Sequence, residues 1–237
     1  MMIKKLLLLP IAFILFIAAA YADDDSVEPD AGPDDKTHVV SAIGQKIADA
    51  YGFQSFDKVS EIQYTFNARL GDKTIKRSWV WNPKDNKVTY KENGETVTYN
   101  QNDLSSASEE IKDIDAKFIN DQYWLIFPFH LVWDDGIRIE VEDQKLDLPL
   151  GSGSSTKISV IYPETGGYTP GDIYDLYLDD NSMITKWVYR KGGSDAPTRV
   201  STWEDNMELG SITISLNRQD PDSDFRVWFT DVIVVSD

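Results

Sequence analysis

From Glu61 to Leu70 apolar and polar residues alternate without a break: Ile62, Tyr64, Phe66, Ala68 and Leu70 fall on one side, Gln63, Thr65, Asn67 and Arg69 on the other. A period of two is that of a half-buried strand. Gly71-Asp72 turns the chain into 74–81, where Ile75, Arg77, Trp79 and Trp81 share a face. The cluster Asn82-Pro83-Lys84-Asp85-Asn86 and the pair Asn93-Gly94 punctuate short strands at 87–91 and 95–99, so these segments form a four-strand meander. Upstream, Val39, Val40, Ile43, Ile47, Ala50 and Tyr51 recur three and four residues apart. That spacing predicts a helix over 37–53, capped by Asp34, Asp35 or Thr37 and ended at Gly52.

After the meander the period changes. Ile111, Ile114, Phe118 and Ile119 place one apolar side on a second helix over 105–119. It runs into 121–133, the most apolar stretch of the body, where Pro128 bars a straight helix. Strand patterns return at roughly 136–142, 156–161, 172–178, 183–191, 198–205, 211–217 and 225–235, separated by Gly-, Ser- and Asp-rich turns. The expectation is a mainly β (α+β) protein with about eleven strands and two helical segments. The economical arrangement is one curved antiparallel sheet wrapped around its helices.

The first residues read differently. Lys4 and Lys5 precede the apolar run Leu6 to Ala19, and Ala20-Tyr21-Ala22 supplies an A-x-A site. The run is short of the roughly 20 residues that span a bilayer, so residues 1–22 are expected to be a cleaved signal peptide. The place of action is then periplasmic or secreted. With no cysteine there is neither a lipobox nor a disulfide, and a packed core has to hold the fold. Residues 23–36, with five acids between Asp23 and Asp30 and few apolar side chains, are expected to form a disordered acidic leader ahead of a single domain over 37–237. Loss of Lys4 and Lys5 takes the net charge from −17 to −19. A surface this acidic repels nucleic acid and anionic lipid headgroups.

Catalytic and metal motifs are scarce. G-x-S-x-G and H-E-x-x-H are absent, and only two histidines occur, His38 and His130. Asp134-Asp135 near His130 suggests an acid–base pair less readily than a turn before Gly136. Asp220-Pro-Asp-Ser-Asp224 starts like a calcium loop but has Phe225 at the sixth position and Asp231 at the twelfth, so a polar hairpin turn is the better reading. Neither a catalytic residue, a metal nor a cofactor is assigned.

The order of elements has a resemblance. A helix ending Ala50-Tyr51-Gly52 leads into Val59 to Leu70 and short hairpins, then a helix reaches Trp124-Leu-Ile-Phe-Pro-Phe-His-Leu131. Lys157 to Tyr162, Tyr174 to Asp179, Ile184 to Tyr189 and Thr202-Trp-Glu-Asp205 follow. Over about 37–235 this resembles the LolA/LolB-like superfamily, the fold of bacterial outer-membrane lipoprotein sorting and its uncharacterised relatives. The resemblance implies a curved, unclosed antiparallel β-barrel with two or three helices covering or plugging its concave face. It also implies a cavity that receives acyl chains, and no covalent chemistry. The acidity and the leader are departures from the carriers.

The seven tryptophans and their aromatic neighbours carry the functional reading. Tyr64, Phe66, Trp79, Trp81, Tyr90, Trp187, Tyr189 and Trp203 occupy alternating strand positions, and Trp124, Phe127 and Phe129 form an apolar rim or lid edge. The bland reading of all eleven is core packing. The expected function is a non-catalytic binding protein for an apolar or amphipathic, lipid-like ligand, with a membrane-associated partner as a second expectation. The alternative is a surface module that contacts polysaccharide or a partner protein through exposed Trp, which requires Trp79, Trp81 and Trp187 to point outward.

Overall fold

The structure, a computed structural model, describes residues 40–237. The expected signal peptide, the acidic leader and the proposed caps Asp34, Asp35 and Thr37 lie outside the described residues. Helix α1 spans Ala42–Ala50, and its first turn is capped by the Ser41 hydroxyl, which accepts from the Gly44 N–H. Helix α1 ends at Tyr51, and Gly52 follows in the left-handed region at φ 87°. A 3-10 segment, Phe53–Lys58, then delivers the chain to the first strand.

The meander forms as the alternation predicts: β1 (Val59–Leu70), β2 (Lys73–Asn82), β3 (Lys87–Glu92) and β4 (Glu95–Asn100). Helix α2 spans Glu109–Trp133 from an N-cap at Ser108, longer than the 105–119 segment expected. Its helical turns continue past Pro128 but not in a straight line, since Ile126 leaves helical geometry at φ −133° and ψ 34°. A proline lacks an N–H and its ring collides with the carbonyl four residues back, so the helix bends just ahead of it.

The remaining strands are β5 (Arg138–Val141), β6 (Leu146–Asp147), β7 (Ser154–Ile161), β8 (Ile173–Leu178), β9 (Ile184–Arg190), β10 (Arg199–Thr202), β11 (Glu204–Leu209), β12 (Ile212–Gln219) and β13 (Arg226–Ser236). The described residues thus hold thirteen strands, not eleven. The two-residue β6 carries too short a pattern to read, and the expected strand 198–205 breaks into β10 and the start of β11.

That break also corrects the expectation of one sheet. Hydrogen bonding defines a seven-stranded sheet, β11-β12-β13-β1-β2-β3-β4, and a second sheet in the order β10-β9-β8-β7-β5 with β6 beside β7. All the pairings are antiparallel, and a single residue, Trp203, separates β10 of the second sheet from β11 of the first. Its N–H still donates to the Thr185 carbonyl, extending the β9 ladder, before Asp205 at φ 58° turns the strand onto β12. A second irregularity on β13, with Asp231 at φ 55°, shifts the register opposite Gln63 to Thr65. Such bulges bend and coil strands. The result is a curved, open barrel whose free edges are β4 and β5, with α2 against its concave side.

Gly52 is where α1 meets this barrel. A Cβ there would stand 2.8 Å from the Ser211 carbonyl oxygen and 3.1 Å from the Ile212 Cα. Gly52→Ala combines that backbone collision with left-handed strain and is expected to destabilise the protein by about 2 kcal/mol or more, read as a lowered denaturation midpoint.

Candidate functional site

Register sets the aromatic wall. Tyr64 on β1 pairs across β2 with Trp79, which pairs with Tyr90 on β3, and Trp79 and Tyr90 lie 4.7 Å apart between ring centroids. Cross-strand partners project to the same face, so one row of rings crosses three strands. Trp81 sits two residues along from Trp79, and Phe66 faces Phe229 of β13 at 5.8 Å. The second sheet supplies the opposite wall, where Tyr174, Trp187 and Tyr189 lie 5.3–6.0 Å from one another.

Helix α2 fills the space between. Phe118 meets Trp79 at 5.4 Å and Trp81 at 5.7 Å, both edge to face. On the other side Trp124 lies 4.5 Å from Trp187, and Phe127 packs 5.0 Å from Tyr174. Phe129 points elsewhere, toward Phe53, Phe56 and Trp133. Trp203 stands apart from the other ten candidates, at the corner where the two sheets meet. Apart from half-buried Trp124, all eleven candidate rings are buried. Trp79, Trp81 and Trp187 therefore turn inward, which removes the outward ring platform that the polysaccharide or protein-binding alternative needed. The physical reason is the pleat: these rings share the strand face that the helix covers.

One ion pair fastens this plug to the wall. Arg77 donates from Nε and Nη2 to the two carboxylate oxygens of Asp121 on α2, at 3.0 and 2.6 Å, and the Trp79 indole N–H adds a bond of 2.9 Å. Asp121 is fully buried, and that burial raises its pKa to about 6 against the opposing pull of Arg77. The sequence reading placed Arg77 on the aromatic face but found no partner for it. The missed signal was a charge on a face otherwise reserved for rings.

The far end of α2 is tied by Asp134. Its carboxylate receives the Tyr162 hydroxyl at 2.7 Å and the Tyr123 hydroxyl at 2.5 Å, and it pairs with His130 Nδ1 at 2.9 Å. The histidine stacks on Tyr123 with centroids 3.9 Å apart. The expected turn forms after Asp134, but the acid–histidine contact that the sequence reading ranked below it forms as well. Its partners are tyrosines holding helix to sheet, and His130 is buried. Asp220, proposed as the head of a polar turn, accepts from the Asp222 N–H and the Ser223 hydroxyl within its own hairpin.

The described wall also leaves polar atoms without partners. The Tyr64 hydroxyl, the Trp81 and Trp187 indole nitrogens and the Ser201 hydroxyl are buried with no hydrogen-bond partner among the described residues. So are Nε and Nη2 of Arg218 on β12, a residue the sequence reading did not single out. Native interiors satisfy about 90% of such groups. Open depressions mark the surface of the described residues. One of about 410 Å³ lies between α2 and the β3–β4 edge, bordered by Tyr90, Glu92, Glu95, Glu110 and Asp113. The other, about 480 Å³, lies on the outer side beside Met207 and Trp228.

The sign of the Asp121 shift gives a pH dependence. Folding raises this carboxyl from an ordinary 3.8 to about 6, so the folded chain binds the proton more tightly than the unfolded one. Its contribution is complete below about pH 4 and is lost as pH rises through about 6. Asp121→Asn is expected to remove that part of the slope of unfolding free energy against pH, measured by urea denaturation across this window.

No protein-family profile matches the chain, and no curated protein matches it. Solved structures do. A DUF1329 family protein from Desulfovibrio piger aligns over 82% of this chain and 92% of its own, at 9% identity and a TM-score of 0.43. A LolA superfamily protein from Nitrosomonas europaea aligns over 83% of this chain and 95% of its own, at 9% identity and a TM-score of 0.50. At that identity the likeness is one of architecture, and the open antiparallel barrel plugged by α2 is a LolA-like fold.

Proposed function

We propose that this protein is a non-catalytic binding protein, periplasmic or secreted, for an apolar or amphipathic lipid-like ligand. The ligand replaces α2 against the aromatic wall formed by Tyr64, Phe66, Trp79, Trp81, Tyr90, Trp187 and Tyr189. Trp124, Phe127 and Phe129 are the plug side chains that give way. The observation that carries this reading is the aromatic wall on both sheets, which α2 covers with Phe118, Trp124 and Phe127.

The bend at Ile126 supplies a place for α2 to flex, and the buried Arg77–Asp121 pair supplies the resistance. Breaking such a pair by removing one partner costs about 3–5 kcal/mol, whereas each methylene a ligand buries returns about 0.8 kcal/mol. Burial of an acyl chain of ordinary length therefore outweighs the loss of this one pair. The LolA superfamily neighbour supports the reading at the level of architecture.

The test is saturable binding of N-phenyl-1-naphthylamine to the native protein, followed by energy transfer from tryptophan. One-to-one binding is expected, with lipid extracted from freshly secreted protein. Because displacement of α2 is the cost, Asp121→Asn is expected to bind the probe about fivefold more tightly or better. Phe118→Leu, which loosens the plug without altering charge, is expected to act in the same direction. A folded protein with no saturable binding, or variants that bind more weakly, overturns the reading.

A further inference from the structure

Arg218 is a cation in the interior with no carboxylate opposite it among the described residues. Its side chain is 0% exposed and lies with Cζ 3.7 Å over the Trp203 ring and 5.2 Å from the Phe229 ring. Nη1 donates to the Ser215 carbonyl, while Nε and Nη2 have no partner among the described residues. Burial lowers its pKa to about 9, which still leaves it charged at neutral pH. A buried charge normally has a partner, because desolvation without one is costly.

The same chain shows what belongs on that edge. Arg77 uses the same two nitrogens, Nε and Nη2, to grip both oxygens of Asp121. This side of a guanidinium is a planar fork matched to a carboxylate. A further donor without a partner among the described residues is the Ser201 hydroxyl on β10, two residues before Trp203, whose ring covers the guanidinium. From the guanidinium a track of rings leads along the concave face. Phe229 lies against Arg218, and Phe66 and Tyr64 follow at 5.8 and 5.9 Å from Phe229. A carboxylate that reaches Arg218 has to carry its own hydrocarbon, because the guanidinium has no solvent-exposed surface and this track is apolar.

We propose that Arg218 is the head-group site for the ligand. Its Nε–Nη2 edge takes the carboxylate of a long-chain carboxylic acid whose tail lies along Phe229, Phe66 and Tyr64. This rests on the carrier reading and adds the chemical class of the ligand. The exterior has a net charge of −17 along the whole chain, so a preference for an anionic head over a neutral one cannot arise from attraction at the surface.

The experiment displaces N-phenyl-1-naphthylamine from the native protein with hexadecanoic acid, its methyl ester, hexadecan-1-ol and hexadecyl phosphate. The acid is expected to bind about tenfold more tightly than the ester and the alcohol, with Arg218→Met abolishing the difference and Arg218→Lys keeping part of it. Should Arg218→Met not fold, the ¹³C signal of carboxyl-labelled hexadecanoic acid on the wild-type protein decides. Its bound carboxyl is expected to titrate at lower pH than a neutral pocket of the same depth allows, below the free acid. Equal binding of acid and alcohol, a preference that survives in Arg218→Met, or a bound carboxyl titrating above the free acid overturns the assignment and leaves the carrier reading standing. Tighter binding of the phosphate than of the acid overturns the carboxylate as the head group. Failure of every probe to bind overturns the carrier reading and this one together.

Discussion

The concave faces of both sheets are lined with aromatic rings, and α2 is the element that keeps water from them. At roughly 25 cal/mol per Å² of apolar area, a row such as Tyr64, Trp79 and Tyr90 cannot be left open in a stable protein. The helix meets this demand with Phe118 on one wall and Trp124 and Phe127 on the other. The rest of the architecture follows from that insertion. The sheets curve to embrace the helix, the β10–β11 strand bends at Trp203 to round the corner, and α1 closes the end through Tyr51.

Within that apolar interior two arginines meet opposite fates. Arg77 is neutralised by Asp121 from the helix, with Trp79 bonding the same carboxylate. Arg218 is wedged between two rings and, among the described residues, hydrogen-bonds a backbone carbonyl alone. An interior designed for packing alone has little reason to keep the second, since an apolar side chain of similar volume avoids the desolvation cost.

The likeness to the LolA superfamily protein at 9% identity shows how little of the fold rests on particular residues. Alternation along strands, two helical stripes and a few bulges are enough to specify an open barrel, and very different side chains satisfy them. Function does not travel as freely with a fold, because it resides in particular side chains at particular places.

Much of this protein was legible in its residues taken in order. Period-two alternation over 61–70 and the shared face of Ile75, Arg77, Trp79 and Trp81 set the meander and its inward side before any coordinate, and the rings of the candidate site came with them. Pro128 foretold the bend in α2 but not that helical turns resume beyond it, because packing against Tyr174 and Trp187 outweighs a proline's local preference. The corner at Trp203 and Asp205 left no local mark. Least visible were the partners. Arg77 and Asp121 lie 44 residues apart, and whether a charge on an apolar face is paired depends on which distant segment arrives opposite it. Periodicity is a property of neighbours along the chain, so the sequence alone determined the faces. Pairing is a property of segments meeting in space, so only the tertiary structure decided that Arg77 is satisfied and Arg218 is not.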